Sequence, residues 1–141
     1  MSSLRWILVG LWMAGILYTS SLGQAVTPVR GIVQTLVSKL GHILEYAILG
    51  ALLLAAVRAE RWVYHSAARE LFVVAIVGGA FAVFDELRQS FSPGREPRVT
   101  DVMIDLVSLI TASWLGGRWL RRPDQRPWAA APAPRHQPRG R

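Results

Sequence analysis

The stretch LFVVAIVGGAFAVFDEL, residues 71–87, decides the fold. From Leu71 to Phe84 it holds no charge, and it then closes on two adjacent acids, Asp85 and Glu86. A helix of this length nears the ~17–25 residues that cross a ~30 Å hydrocarbon core. Alone, such a segment would also suit the buried helix of a soluble domain. Three similar blocks settle the matter: Trp6 to Leu22, Leu40 to Val57 and Val99 to Leu120. Four apolar blocks in one short chain, with no polar-faced helix, predict an all-α integral membrane bundle of four transmembrane helices.

Composition agrees. The chain has 141 residues, of which 52% are apolar, and a formal net charge of +7. A soluble domain would spread polar residues around one core, whereas here the charges collect between and beyond the apolar blocks. The Lys and Arg residues flank those blocks and form no stripe with exposed aromatics, so a nucleic-acid partner is not expected. With no cysteine and three histidines, thiol chemistry and His-rich metal sites are excluded, and no cofactor is expected.

The first block has a competing reading. Arg5, a short apolar run and Ser21-Leu22-Gly23 also resemble a signal peptide cleaved before Gln24. Retention is the expectation, because a fourth helix helps the other blocks bury their polar residues. Residues 1–122 then form the membrane domain. Residues 123–141 are a different material, with Pro123, Pro127, Pro132, Pro134 and Pro138 set among Arg126, Arg135, Arg139 and Arg141. That composition predicts a disordered basic tail beside anionic lipid headgroups.

Loop charge gives the orientation. With four spans, both termini and the middle loop share a side that carries eleven Lys and Arg residues, against five on the other. The positive-inside rule places both termini in the cytoplasm of a multi-pass protein of the bacterial inner membrane.

Helix direction then collects the polar residues. His42, Glu45 and Tyr46 lie early in the second span, on one helical face. Asp85, Glu86, Arg88 and Gln89 end the third span, Arg95 lies in the following loop, and Asp101 and Asp105 open the fourth. All are expected at one membrane face, about one or two turns deep, and the other halves of the spans are expected to lack polar residues. Gly78, Ala82, Asp85 and Gln89 form one inward stripe, and Asp101, Asp105, Ser108, Ala112 and Gly116 a second. Asp85 and Glu86 sit at a helix C-terminus, where the macrodipole disfavours acids, so they need compensation. Asp101 sits in a favourable first turn that Thr100 can cap. Two readings follow: an ion-pair scaffold, or a polar pocket for an anionic headgroup, a cation or a proton. No spacing here is a strong metal signature.

At these residues the chain resembles the VanZ-like membrane proteins. Lys39, His42, Glu45, Tyr46, Leu49 and Gly50 are similar to that family's segment in the second span. Asp85, Glu86, Gln89 and Arg95 resemble its D-E-x-x-Q block with a following arginine, and Asp101 and Asp105 its closing D-x-x-x-[ND] element. Ser20 and Ser21 are a weaker likeness, and Ser108 stands where many relatives carry glycine. The family's namesake is associated with low-level resistance to teicoplanin, so the resemblance implies a cell-envelope role. Its expected partners are membrane lipids, with an anionic lipid headgroup or a cell-wall precursor as ligand. Binding ranks above catalysis, since no Ser–His–Asp set, phosphate-binding glycine loop or zinc motif is present. The alternative is a small membrane enzyme acting on a lipid-linked headgroup, with Glu45, Asp85 or Glu86 as acid or base and His42 assisting. An ion path ranks last.

Overall fold

The structure, a computed structural model, describes residues 2–22, 32–60, 66–91 and 98–119. They form four helices: α1 (Ser2–Leu22), α2 (Ile32–Val57), α3 (Ala67–Ser90) and α4 (Val99–Trp119). Among the described residues there is no strand. The tail at 123–141, Arg95 and the junction at Gln24 lie outside them.

Side-chain pairs fix the helix directions. Arg58, just past α2, bonds Glu70 in the first turn of α3 at 2.8 Å. Lys39, early in α2, reaches Asp101, early in α4, at 2.9 Å. Ser20, late in α1, reaches Asp85, late in α3, at 2.8 Å. So α1 and α3 run one way and α2 and α4 the other, an up-down-up-down bundle. α2 packs against all three other helices, while α1 and α4 lie on opposite sides and do not meet.

The seams close through small residues. At Gly50 an added Cβ would strike the Leu109 carbonyl and come within 2.8 Å of Ser113 Oγ. At Gly78 it would overlap the Leu109 side chain. Leu109 is thus a knob driven between α2 and α3, and glycine is what admits it. The α3 stripe of Gly78, Ala82, Asp85 and Gln89 is buried as expected. On α4 the buried row is Asp105, Leu109, Ser113 and Gly117. Ser108, Ala112 and Gly116 form the neighbouring, half-buried row. The expected row was one residue off because both contain small side chains, and Leu109 selects between them.

Leu11, Leu40, Phe72, Ile76 and Val107 point outward. That suits lipid and no aqueous surface. α2, α3 and α4 are long and apolar enough to cross a membrane. The 21 residues of α1 match a bilayer in length, but Arg5, Thr19, Ser20 and Ser21 lower its hydropathy. α2 begins two turns before the apolar block read from sequence. With Lys39 level with Asp101, it runs on roughly 8 Å beyond the start of α4 at 1.5 Å per residue.

Candidate functional site at the polar end of the bundle

Side chains on a helix lean toward its N-terminus. At the end where α2 and α4 begin, theirs lean outward, whereas those of α1 and α3, which finish there, lean back into the bundle. The four sets therefore converge on one level. Asp85 and Asp105 lie about 8–9 Å below the ends of α3 and α4, and Glu45 and Tyr46 a further turn down α2. The two aspartates thus sit one to two turns in, and Glu45 and Tyr46 about a turn deeper.

Asp85 is the hub, at 1% exposure. Its Oδ1 accepts from Ser20 Oγ at 2.8 Å and from Arg88 Nη2 at 3.2 Å, and its Oδ2 accepts from Gln89 Nε2 at 2.9 Å. Arg88 also reaches α1, donating to Ser21 Oγ at 2.9 Å and to the Leu17 carbonyl at 3.1 Å. This is the compensation that an acid at a helix C-terminus requires. Glu86 is compensated separately, by the backbone N–H of Arg98.

Asp101 pairs with Lys39 across the α2–α4 seam, where both side chains are half-exposed. Thr100 lies inside α4, its hydroxyl a distant 3.5 Å from Asp101, so it is no cap. Deeper in the same seam, both oxygens of Asp105 face His42 Nδ1, at 3.2 and 3.3 Å. A carboxylate on one ring nitrogen orients the imidazole and leaves Nε2 for another partner.

Glu45 accepts from Thr19 Oγ1 at 2.7 Å along the α1–α2 seam, and Trp12 Nε1 bonds its backbone carbonyl at 2.9 Å. Tyr46 is fully buried, its ring 4° from parallel to that of His42 and tilted against Phe81. Its hydroxyl finds no partner among the described residues, and neither does Arg88 Nε.

Nine of the ten sequence-predicted site residues therefore meet at one end, with Arg95 outside the described residues. Thr19 plays no part in the sequence reading, and Ser20 and Ser21 carry little weight in it. Their signal was three adjacent hydroxyls closing an apolar helix. Among the described residues no group of three or more His, Cys, Asp or Glu side chains is placed to hold a metal. Among the described residues the end carries more acids than bases: Glu45, Asp85, Glu86, Asp101 and Asp105 against Lys39, Arg88 and Arg98.

The opposite end holds a second polar set, at the flanks of the spans read from sequence. Glu70 is buried against Arg58, whose Nη2 also lies 3.4 Å from the Gly117 carbonyl near the α4 terminus. Trp6 Nε1 donates to Glu60 at 2.7 Å, and Arg118 stacks over Trp114 at 4.2 Å. Buried Leu49, Leu53, Leu54 and Val74 separate the two ends. No continuous polar path crosses the described residues.

The sequence pattern of the VanZ/LLP1 family matches residues 5–119. The chain belongs to the VanZ/LLP1 family. The match takes in all four helices except the first three residues of α1, and both polar ends. No curated protein and no solved structure matches the chain. What this VanZ/LLP1 bundle does must therefore be argued from its own polar groups.

Proposed function

We propose that this VanZ/LLP1 protein serves the cell envelope by binding or organising an outer-leaflet lipid or cell-wall component at its polar end. It does so from the bacterial inner membrane, with both termini in the cytoplasm. One observation carries the reading: among the described residues the buried Tyr46 hydroxyl and Arg88 Nε stand without partners amid an otherwise paired network. A network built only to hold helices together gains nothing from orphaned polar atoms, whereas a receiving site needs them. The orientation draws support from Arg5, Arg58 and Arg118 near Trp6 and Trp114 at the other end, an arrangement suited to a cytoplasmic interface. Arg88 is already held by Asp85 and α1, so the anionic headgroup expected from sequence is the less favoured ligand.

Glu45→Gln and Glu86→Gln, each near-neutral in volume, and Arg95→Ala test the reading beside Asp85→Asn. Membrane abundance and teicoplanin susceptibility are measured for each. The reading predicts altered susceptibility at wild-type abundance for at least the first two. Susceptibility that simply follows abundance across all four variants reduces the polar end to a scaffold.

A second reading, acid–base chemistry on a lipid-linked headgroup, is favoured by the His42–Asp105 pair. His42→Asn separates the two: it abolishes turnover in a catalyst and leaves ligand retention in a binder.

A further inference from the structure

Three charged side chains meet on the last turn of α1. Glu45 of α2 accepts from Thr19 Oγ1 and Asp85 of α3 from Ser20 Oγ. Arg88 of α3 donates to Ser20 Oγ, Ser21 Oγ and the Leu17 carbonyl. Two carboxylates and a guanidinium thus converge on residues 17–21. Little apolar packing ties α1 down there. Among its described side chains only Val9, Ile16 and Ser20 are buried, and of the helix pairs that pack, α1 and α3 meet least. The hydrogen bonds are also reversible. Thr19 Oγ1 lies 3.1 and 3.0 Å from the Gly15 and Ile16 carbonyls, and Ser20 Oγ 3.2 Å from that of Leu17. Ser21 Oγ already donates to the Leu17 carbonyl. Each hydroxyl therefore has an acceptor on its own helix, and departure orphans no donor on α1. The loss falls on Glu45, Asp85 and Arg88, which give up partners that an incoming group would have to replace.

We infer that the last turn of α1 is a strap whose hydroxyls hold the place of a hydroxyl-bearing headgroup, such as a sugar, and swing aside to admit it. The chemistry follows from Ser20. Its oxygen accepts from Arg88 while its proton goes to Asp85, so the group that replaces it must both accept and donate. A hydroxyl does both at one atom, whereas an ammonium cannot accept and an ionised phosphodiester cannot donate. Arg88 Nε, buried and without a partner among the described residues, is a further donor on the same guanidinium. The earlier turns of α1 stay on α2 through Arg5, Trp6 and Trp12, which confines the swing to the polar end. The inference rests on the proposed binding role and names its headgroup class and its way in.

The test uses the full chain in a sugar-free amine-oxide detergent with monoglucosyldiacylglycerol, diacylglycerol of identical acyl chains, or free methyl glucoside. Native mass spectrometry reads retention. Spin labels at Tyr18→Cys on α1 and Leu87→Cys on α3, both exposed and outside the polar contacts, read the distance between the two helices. The glucosyl lipid is expected to be retained about ten-fold more strongly than diacylglycerol and to add a longer-distance population. Thr19→Val combined with Ser20→Ala is expected to lower the unfolding midpoint yet raise glucosyl-lipid retention about three-fold, because the strap no longer competes. Ser20→Ala alone answers the same question where the double variant fails to fold. Hydroxyls that only hold the fold would lower both readings, and that result overturns the strap. Equal retention of methyl glucoside with the longer distance supports the strap and assigns the site to a free sugar. Retention at an unchanged distance overturns the strap and spares the binding role. Indifference between the two lipids overturns the headgroup class. A strap variant that opens and binds while teicoplanin susceptibility stays unchanged refutes the envelope role and supports the strap.

Discussion

Replacing Asp85 by asparagine removes one charge from the best-connected side chain at the polar end. Its carboxylate accepts from Ser20, Arg88 and Gln89, at 2.8, 3.2 and 2.9 Å. Hydrogen bonds to a charged group contribute ~1.5–3 kcal/mol each, and breaking a buried ion pair costs ~3–5 kcal/mol. Two features reduce that sum. Asparagine keeps one acceptor oxygen for Ser20, and the Arg88 side chain, 29% exposed, recovers some solvation. The net loss is therefore about 3 kcal/mol, or roughly a hundred-fold in the folded-to-unfolded ratio. Reversible unfolding in mixed detergent–dodecyl sulfate micelles measures it. Ser20→Ala should cost about 1 kcal/mol, and the double variant less than the sum, because both act through one carboxylate. An Asp85→Asn protein within about 0.5 kcal/mol of wild type, near the limit of ordinary surface substitutions, would refute the network described here.

Three further predictions concern the bundle. Gly50→Ala should lower stability, since it drives a methyl group into the Leu109 carbonyl, whereas Gly10→Ala, which meets nothing within 4 Å, should leave stability unchanged or raise it by up to about 1 kcal/mol; unfolding midpoints of the two compare them directly. Arg58→Met, which strips Glu70 of a 2.8 Å ion pair, should cost about 3 kcal/mol in the same assay, and a neutral result would show that the second polar set closes nothing. Intact-mass measurement of purified protein should find α1 retained, because Ser20, Ser21 and the Leu17 carbonyl on α1 hold Arg88 and Asp85; a mature chain beginning near Gln24 would contradict this.

Four helices and a shared polar end were legible because block length and helix direction need no tertiary information. Asp85 and Gln89 could be read as inward because Gly78 and Ala82 precede them at helical spacing. The α4 row could not, since Ser108 and Ala112 look as suitable as Ser113 and Gly117 until Leu109 is seen wedged against Gly50 and Gly78. The start of α2 was hidden by Gln34, Thr35, Ser38 and Lys39, polar residues that ended the apolar block without ending the helix. Glu70 lies one residue before the apolar block that begins at Leu71. Only the fold brings Arg58 back against it and reveals a buried pair. Family membership was legible from charged residues in order, whereas the orphaned state of Tyr46 depends on packing that no spacing encodes.

The most direct test asks which side of the membrane the polar end faces. Because the chain has no cysteine, single substitutions report cleanly. Ser90→Cys and Thr100→Cys mark the polar end, and Ser66→Cys, at the cap that starts α3, marks the other. In intact cells a membrane-impermeant maleimide is expected to label the first two, and to reach Ser66→Cys only after permeabilisation. Labelling of Ser66→Cys alone in intact cells would put the acid-rich end in the cytoplasm and contradict an outer-leaflet role.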